Sequence, residues 1–257
     1  MTTVKEIYDK IDGTAPFFNA EKWDNCGIIV GSQSNKVTKI ISTLDITKEA
    51  ALEAVATGAD LVISHHPVIF NPLKNLDDNN PAVILAKNNV SAICMHTNFD
   101  LSKNGMNHIL CKKLGLKELK NIPLDFEDGI AIGNICDLEH QTDVNHLAET
   151  VKFRLGCEIL RYNSIKKPIK RVGICSGSGG NYLAGAIKNQ CDALITGDVK
   201  HSVFVEAQNA GIAVLDAGHF YTEVIFCDWI NDFIRANYPE ITTFTAQSCK
   251  DPCSYAL

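Results

Sequence analysis

Short apolar runs alternate along most of the chain with segments of helical periodicity. Strand-like runs lie at 39–45, 61–64, 90–95, 193–195 and 212–215. Between them, apolar residues recur at three- and four-residue spacing, as in 47–58 and 105–114, which predicts amphipathic helices. Strands that alternate with helices are typical of βαβ units and of a mainly parallel sheet. The pattern therefore predicts an α/β fold.

Residues with strong capping preferences mark several predicted helix ends. Thr47 is expected to cap a helix that stops at Gly58. Either Thr142 or Asp143 is expected to cap a second helix, which ends at Gly156. These residues suit helix ends because a side-chain oxygen satisfies the first amides, and glycine adopts the left-handed conformation that closes the last turn.

A chain of 257 residues is long enough for two modest domains with proper cores. We expect two α/β domains, each with a mainly parallel sheet flanked by helices. The first comprises residues 1–118 together with 217–257, and it carries the candidate site. The second comprises residues 119–216 and begins near a linker at 121–128.

Composition narrows the class of protein. Hydrophobic residues make up 46% of the chain and charged residues 21%, as in ordinary globular proteins. The formal net charge of −6 argues against a protein that binds nucleic-acid backbones. No apolar run approaches the roughly 18 residues of a membrane span, and the start does not resemble a signal peptide. The ten cysteines are then expected to be free thiols of a cytoplasmic protein.

Four of the eight histidines lie at the ends of predicted strands or a few residues beyond them. His65 and His66 follow one strand, His96 follows a second with Asp100 nearby, and His219 follows a third. Ligands of open parallel sheets bind outside the carboxyl ends of the strands, so this coincidence predicts a site there. Taken alone, the pair His65-His66 is more typical of one packed and one exposed histidine.

The spacing of nearby carboxylates supports a metal site without requiring one. His219 and Glu223 are four residues apart and share a helix face, although a glutamate in a first turn also stabilises the helix dipole. His96 and Asp100 are either two ligands or a ligand and its orienting carboxylate, and Asp100 is otherwise a helix cap. Imidazole and carboxylate donors without thiolate favour Zn, Fe or Mn.

A glycine-rich loop at 176–180 joins a predicted strand to a predicted helix. Free amides at such a helix start can bind an anion, but the loop matches neither the Walker A motif nor the dinucleotide fingerprint. A tight turn with close helix–strand packing explains it equally well. Asp198 and His201 follow another strand end and are expected near the site rather than among its ligands.

Six motifs together resemble one protein family over nearly the full chain. They are Trp23-Asp24-Asn25-x-Gly27, Ser64-His65-His66-Pro67 with Phe70, His96-Thr97-Asn98-x-Asp100, Ser176-Gly177-Ser178-Gly179-Gly180, Thr196-Gly197-Asp198 and Gly218-His219-x-x-x-Glu223. The chain is similar in these motifs to the dinuclear-metal-centre proteins known as type 2 homologues of GTP cyclohydrolase 1, in their short form.

That resemblance implies a ring-shaped homohexamer and two divalent metal ions per chain. The implied ligands are His65, His66, Asp100, His219 and Glu223. By analogy Glu223 bridges the ions, with His66 and Asp100 on one ion and His65 and His219 on the other. The resemblance also implies that His96 lines the pocket as a further ligand or a proton-transfer group.

Two functions follow as hypotheses. The first is a metal-dependent hydrolase acting on a nucleotide or a phosphorylated small molecule, with His96 and Glu223 as catalytic residues. Two bridged ions produce a hydroxide near neutral pH and polarise a phosphoryl or carbonyl oxygen. The second is a non-catalytic metal-binding adaptor or scaffold protein, because no motif specific for a substrate is recognisable in the sequence.

Overall fold

The structure is a computed structural model that describes residues 1–118, 125–127 and 130–256. Contacts divide it into two compact units. The first unit comprises Met1–Ser102 with Phe226–Lys250, and the second comprises Lys103–Ile225 with Asp251–Leu257. The predicted domain start at residue 119 and most of the predicted linker at 121–128 lie outside the described residues.

The helices of the described chain are mostly short. They are α1 (Val4–Asp12), α2 (Lys48–Thr57), α3 (Pro81–Lys87), α4 (Thr97–Asp100), α5 (Met106–Lys113), α6 (Val144–Leu155), α7 (Leu183–Lys188), α8 (His201–Ala210), α9 (His219–Glu223) and α10 (Ile225–Asn237). Among the described residues, none of them combines the length and the apolar character that crossing a bilayer requires.

The strands are also short and fall into three sheets within the described residues. They are β1 (Gly27–Val30), β2 (Lys39–Thr43), β3 (Leu61–Ser64), β4 (Ser91–Cys94), β5 (Lys117–Glu118), β6 (Asp125–Glu127), β7 (Ile130–Ile132), β8 (Asn134–Thr142), β9 (Arg161–Tyr162), β10 (Ile169–Ile174), β11 (Ala193–Thr196), β12 (Ala213–Asp216) and β13 (Thr242–Thr245).

The predicted helix ends are confirmed. The side chain of Thr47 caps α2, and Gly58 closes that helix with a left-handed φ of 67°. Of the two predicted caps for α6, it is Asp143 that accepts hydrogen bonds from the first amides. Gly156 then ends α6 with φ 70°. Capping residues in the local sequence are therefore sufficient to predict these boundaries.

The sheet of the first unit has the order β1-β4-β3-β2-β13 in the described chain. The pairs β4–β3, β3–β2 and β2–β13 are parallel, and β1 runs antiparallel to β4. This confirms the predicted mainly parallel sheet. The edge strand β13 has no apolar run, since its sequence is Thr-Thr-Phe-Thr, and the hydrophobic pattern did not predict it.

The sheet of the second unit corrects the prediction. Its order among the described residues is β5-β8-β10-β11-β12-β9. Only β10–β11 and β11–β12 are parallel, whereas β5–β8, β8–β10 and β12–β9 are antiparallel. The sheet is mixed rather than mainly parallel, because helix–strand alternation predicts the central crossovers but not the direction of the strands added beside them.

Four central strands position the candidate site residues. Every residue of β3, β4, β11 and β12 is buried. Strands buried on both faces are held by their neighbours along the whole length, so the residues that follow them begin from a rigid frame.

Candidate metal centre

His65 is the first residue after β3 and its side chain is fully buried. Its Nδ1 lies 2.7 Å from the carbonyl oxygen of Met95, which can only accept a hydrogen bond. Nδ1 therefore carries the proton, and Nε2 is the ring nitrogen with the lone pair. That Nε2 lies 3.5 Å from Oδ1 of Asp100. The imidazole thus has the orientation that is usual for a metal-binding histidine and lies beside a carboxylate.

His66 is oriented by the neighbouring strand. Its backbone amide donates to the carbonyl of Leu44, 3.0 Å away, and its Nδ1 lies 2.7 Å from Oδ1 of Asp45. Asp45 follows β2, which pairs in parallel with β3, so both strands end at the same edge of the sheet. A carboxylate on Nδ1 favours the proton there and leaves Nε2 as the nitrogen that could bind an ion.

His96 follows β4 and is held by Asp24, whose carboxylate is fully buried. Nδ1 of His96 lies 2.9 Å from Oδ1 of Asp24, and the other oxygen accepts hydrogen bonds from the backbone amide and the hydroxyl of Thr97. Burial raises the pKa of Asp24, but the hydrogen bonds from His96, Cys26 and Thr97 outweigh it and hold the pKa well below its usual range. Asp24 is therefore an anion that fixes the ring of His96.

The first unit brings three predicted histidines together. The ring centroids of His65 and His66 are 5.1 Å apart, and the ring of His96 lies 5.2 Å from the first and 5.4 Å from the second. One nitrogen of each lies within 4.8 Å of the others. With Asp100 beside His65, this unit places four predicted site residues in one cluster.

The second unit brings together the other two predicted ligands. His219 begins α9 after Gly218, whose φ of 83° turns the chain out of β12. Nε2 of His219 lies 2.8 Å from Oε2 of Glu223, one turn later on the same helix face. Glu223 is only 4% exposed. A buried carboxylate beside an imidazole is a donor pair suited to a divalent ion.

Asp198 orients His219, as Asp45 orients His66. Its Oδ2 lies 2.7 Å from Nδ1 of His219, and its backbone has a left-handed φ of 52°, which is uncommon outside glycine. Asp198 follows β11, the parallel neighbour of β12. His201, the other residue expected near the site, is exposed at the start of α8.

The glycine loop leaves room for Glu223 and His219. Gly177 has a φ of 60°, and a Cβ built on it would collide with Oε1 of Glu223 and lie 3.2 Å from Nε2 of His219. Three amides of the loop donate within the second unit: Ser176 to Asn107, Gly177 to Thr222 and Gly179 to Thr196. These partners support the tight-turn interpretation of the loop over the anion-binding one.

All four histidines share one arrangement, which sequence reasoning missed. Each has Nδ1 against an acceptor, a backbone carbonyl for His65 and an aspartate for the other three. The sequence placed Asp198 near the site without its role, and the same signal, an aspartate after a predicted strand, would have identified Asp45. Each follows a strand that is the parallel neighbour of a strand followed by a candidate histidine ligand.

The donor set fits divalent metal ions. Imidazoles whose Nδ1 donates to a carboxylate or carbonyl present Nε2 with fixed direction and raised basicity, which is the usual environment of metal-binding histidine. Buried or half-buried carboxylates at Asp100 and Glu223 supply negative charge and oxygen donors. The set contains no thiolate, so it suits Zn, Fe or Mn better than a structural zinc site.

Sequence similarity to known proteins extends over nearly the whole chain. The family model Duf34/NIF3 (NGG1p interacting factor 3) matches residues 2–252. A Helicobacter pylori protein named GTP cyclohydrolase 1 type 2 is 36% identical and covers 98% of both chains. A Clostridium perfringens protein named GTP cyclohydrolase 1 type 2 homolog is 30% identical, covering 98% of this chain and 99% of its own.

Solved structures share the fold. A Staphylococcus aureus hypothetical protein superposes with a TM-score of 0.87 at 25% identity, covering 99% of both chains. A Bacillus cereus protein related to NIF3 also has a TM-score of 0.87, at 20% identity and 99% coverage of both chains. The full-length family match and these relatives show that the chain belongs to the Duf34/NIF3 family.

Proposed function

We propose that this protein binds two divalent metal ions and uses them to hydrolyse a nucleotide or a phosphorylated small molecule. The proposed ligands are His65, His66, Asp100, His219 and Glu223. The observation that carries the proposal is the shared orientation of the histidines, each with Nδ1 held by an acceptor. The names of the curated relatives support a nucleotide as the substrate class.

Glu223 is the proposed bridging ligand because its carboxylate is buried and has two oxygens for two ions. Bound ions of this kind polarise a phosphoryl or carbonyl oxygen and lower the pKa of water. Zn, Fe and Mn are the proposed ions, since all three accept imidazole and carboxylate donors. Gly177 serves this arrangement by leaving space for the carboxylate.

His96 is the proposed proton-transfer group. Its Nδ1 is fixed by the anionic Asp24, so the ring presents Nε2 in a defined direction. A histidine held in this way takes up or releases a proton at Nε2 without reorienting. The ring lies within the three-histidine cluster, 5.2 Å from the ring of His65 and 5.4 Å from that of His66.

A hydrolysis screen tests this proposal. The metal-loaded protein is assayed against nucleoside triphosphates, diphosphates and phosphomonoesters, beside Glu223→Gln as the matched variant. We expect turnover that falls by at least about a hundredfold in Glu223→Gln, because the bridging carboxylate is lost. Metal binding without turnover of any compound in the screen would favour the adaptor or scaffold function instead.

A homohexamer is the proposed assembly, on the resemblance to ring-forming family members. Nucleic acid is not a proposed partner, because the net charge of −6 opposes a phosphate backbone. A shift of the protein by duplex DNA at physiological ionic strength would contradict this.

A further inference from the structure

We propose that Trp23 and Phe70 form a stacking subsite, beside the histidine cluster, for the planar heteroaromatic ring of a nucleoside or nucleotide. Both residues lie in the first unit. Their ring centroids are 5.7 Å apart with the planes tilted by 45°. Such a pair presents aromatic faces to a planar ligand, and stacking is favourable for any nucleobase because each has a π-face.

Both rings are exposed in spite of their size. Trp23 is 59% exposed and Phe70 is 48% exposed. By contrast, Phe99 and Phe226 of the same unit are fully buried and pack against each other at 5.5 Å. The first unit therefore buries some of its aromatic side chains in the core, whereas the side chains of Trp23 and Phe70 stay accessible to solvent. Exposed aromatic rings in contact with each other offer a planar ligand an apolar surface that water otherwise covers.

Partly buried polar contacts link the segments that carry the two rings. The side-chain amide of Asn25 donates to the carbonyl of Ile69, 2.6 Å away, which joins the Trp23 segment to the Phe70 segment. Asp24 joins the Trp23 segment to Thr97 through the backbone amide and the hydroxyl. The backbone that carries the two rings is thus tied to its surroundings, which lowers the cost of ordering it when a ligand stacks there.

The pair lies next to the candidate chemistry. The ring of His96 is 6.1 Å from Trp23 and 6.3 Å from Phe70, edge-on to both. A ring stacked on the pair would therefore be adjacent to the three-histidine cluster. The idea that the phosphates of a bound nucleotide reach the metal ions rests on the proposed function. Binding of the heteroaromatic ring to Trp23 and Phe70 does not rest on it.

The subsite predicts weak discrimination between bases. The stacking energy depends on the face of a nucleobase and little on its exocyclic groups. The side-chain amide of Asn25, two residues after Trp23, already donates to the carbonyl of Ile69. We therefore expect adenosine and guanosine to bind with affinities within about threefold of each other.

Tryptophan fluorescence and calorimetry test the subsite on the full chain. The sequence has two tryptophans, so Trp229→Phe leaves Trp23 as the sole reporter. Adenosine, guanosine and ribose 5-phosphate are titrated after chelator treatment, so that metal ions take no part. We expect saturable changes with both nucleosides and none with ribose 5-phosphate. Trp23→Phe, which keeps Trp229, reports any optical effect of the nucleosides themselves.

Calorimetry with adenosine then separates the aromatic pair from other surfaces. We expect Trp23→Ala to weaken binding about tenfold and Phe70→Ala to weaken it several-fold, as stacking on single aromatics does. Trp23→Phe should stay within about threefold. The control Phe153→Ala, which removes an 88% exposed ring of the second unit, should leave the affinity unchanged.

Two results would overturn the subsite. One is the absence of nucleoside binding in a folded Trp229→Phe protein. The other is an unchanged affinity for adenosine in Trp23→Ala. If that variant changes only the oligomeric state, the aromatic pair is a subunit contact and the subsite is likewise excluded. Failure of the metal centre gives a different pattern, since nucleosides would still bind while metal content and turnover were absent.

Discussion

Aspartates that touch a histidine ring decide how the candidate centre presents its nitrogen donors. Asp45, Asp24 and Asp198 each accept from, or pair with, Nδ1 of one histidine at 2.7–2.9 Å. None of them is a proposed ligand. Each aspartate fixes the tautomer of its histidine and the direction of the Nε2 lone pair, so the ring needs no reorientation to bind an ion.

Removing one of these carboxylates should weaken metal binding without unfolding the protein. We expect Asp198→Asn to lower metal affinity by about 10- to 100-fold, the usual effect of losing such a partner. Competition with a chromogenic chelator measures this. The control Asp9→Asn removes an exposed carboxylate that pairs with Lys5 on α1 and should change nothing. Equal affinity in Asp198→Asn and wild type would contradict the orienting role.

A cysteine outside the centre is expected to be unusually acidic. A hydrogen bond from the Cys227 thiol lowers the pKa of Cys249 to about 6. Burial raises this pKa, but hydrogen bonds from the Leu44 amide and the Thr43 hydroxyl add to the lowering. The thiolate therefore predominates above about pH 6 in the folded protein. In a denatured chain a cysteine titrates near about 8.5.

The rate of alkylation of Cys249, measured as a function of pH, tests whether its thiol is unusually acidic. Mass spectrometry of the peptide containing Cys249 should show half-maximal iodoacetamide reaction near pH 6 in native protein and near about pH 8.5 in denaturant. Cys227→Ala should move the native midpoint upward, whereas Cys227→Ser keeps a donor and should move it less. A native midpoint equal to the denatured one would refute the acidic thiol.

At the scale of elements, parallel strands place the site and tight turns give it room. Histidines follow β3, β4 and β12, and aspartates follow β2 and β11, so neighbouring strands bring a candidate ligand and its hydrogen-bond partner to one edge. The turn after β10 must then pass close to α9. Gly177 makes that passage possible because it has no Cβ.

Two glycine substitutions should separate backbone strain from steric conflict. Gly58 and Gly177 both have left-handed φ, of 67° and 60°, but only Gly177 has Glu223 in its path. We expect Gly58→Ala to cost about 1–2 kcal/mol of unfolding free energy and to leave metal affinity intact. Gly177→Ala should cost more and lower metal affinity. Denaturant unfolding and chelator competition measure the two effects; similar results for both variants would contradict this account.

Much of this arrangement could be predicted from local sequence, and the exceptions have physical causes. The helix between Thr47 and Gly58 was predictable because its caps are local chemistry. The strand β13 was not, because three threonines and one phenylalanine become a strand only by pairing with β2. The contact between Asp24 and His96 joins residues 72 positions apart, and no periodicity encodes it.

At the scale of the whole molecule, the proposed assembly is tested independently of the proposed ligands. The proposed ring would consist of six copies of a 28.1 kDa chain. We expect sedimentation equilibrium to give six times the chain mass, in the presence and in the absence of chelator. A monomer or a dimer at micromolar concentration would contradict the hexamer and leave the metal proposal standing on its own.

The most direct test of the central claim is metal content per chain, measured by elemental analysis of untagged protein purified without chelator. The account predicts about two equivalents of Zn, Fe or Mn, falling sharply in Glu223→Ala, because the proposed bridging carboxylate is removed. The same analysis of Asp9→Asn should match wild type. Near-zero metal in the wild type after incubation with each of the three ions would contradict a dinuclear centre, and the histidine cluster would then be a structural feature of the fold.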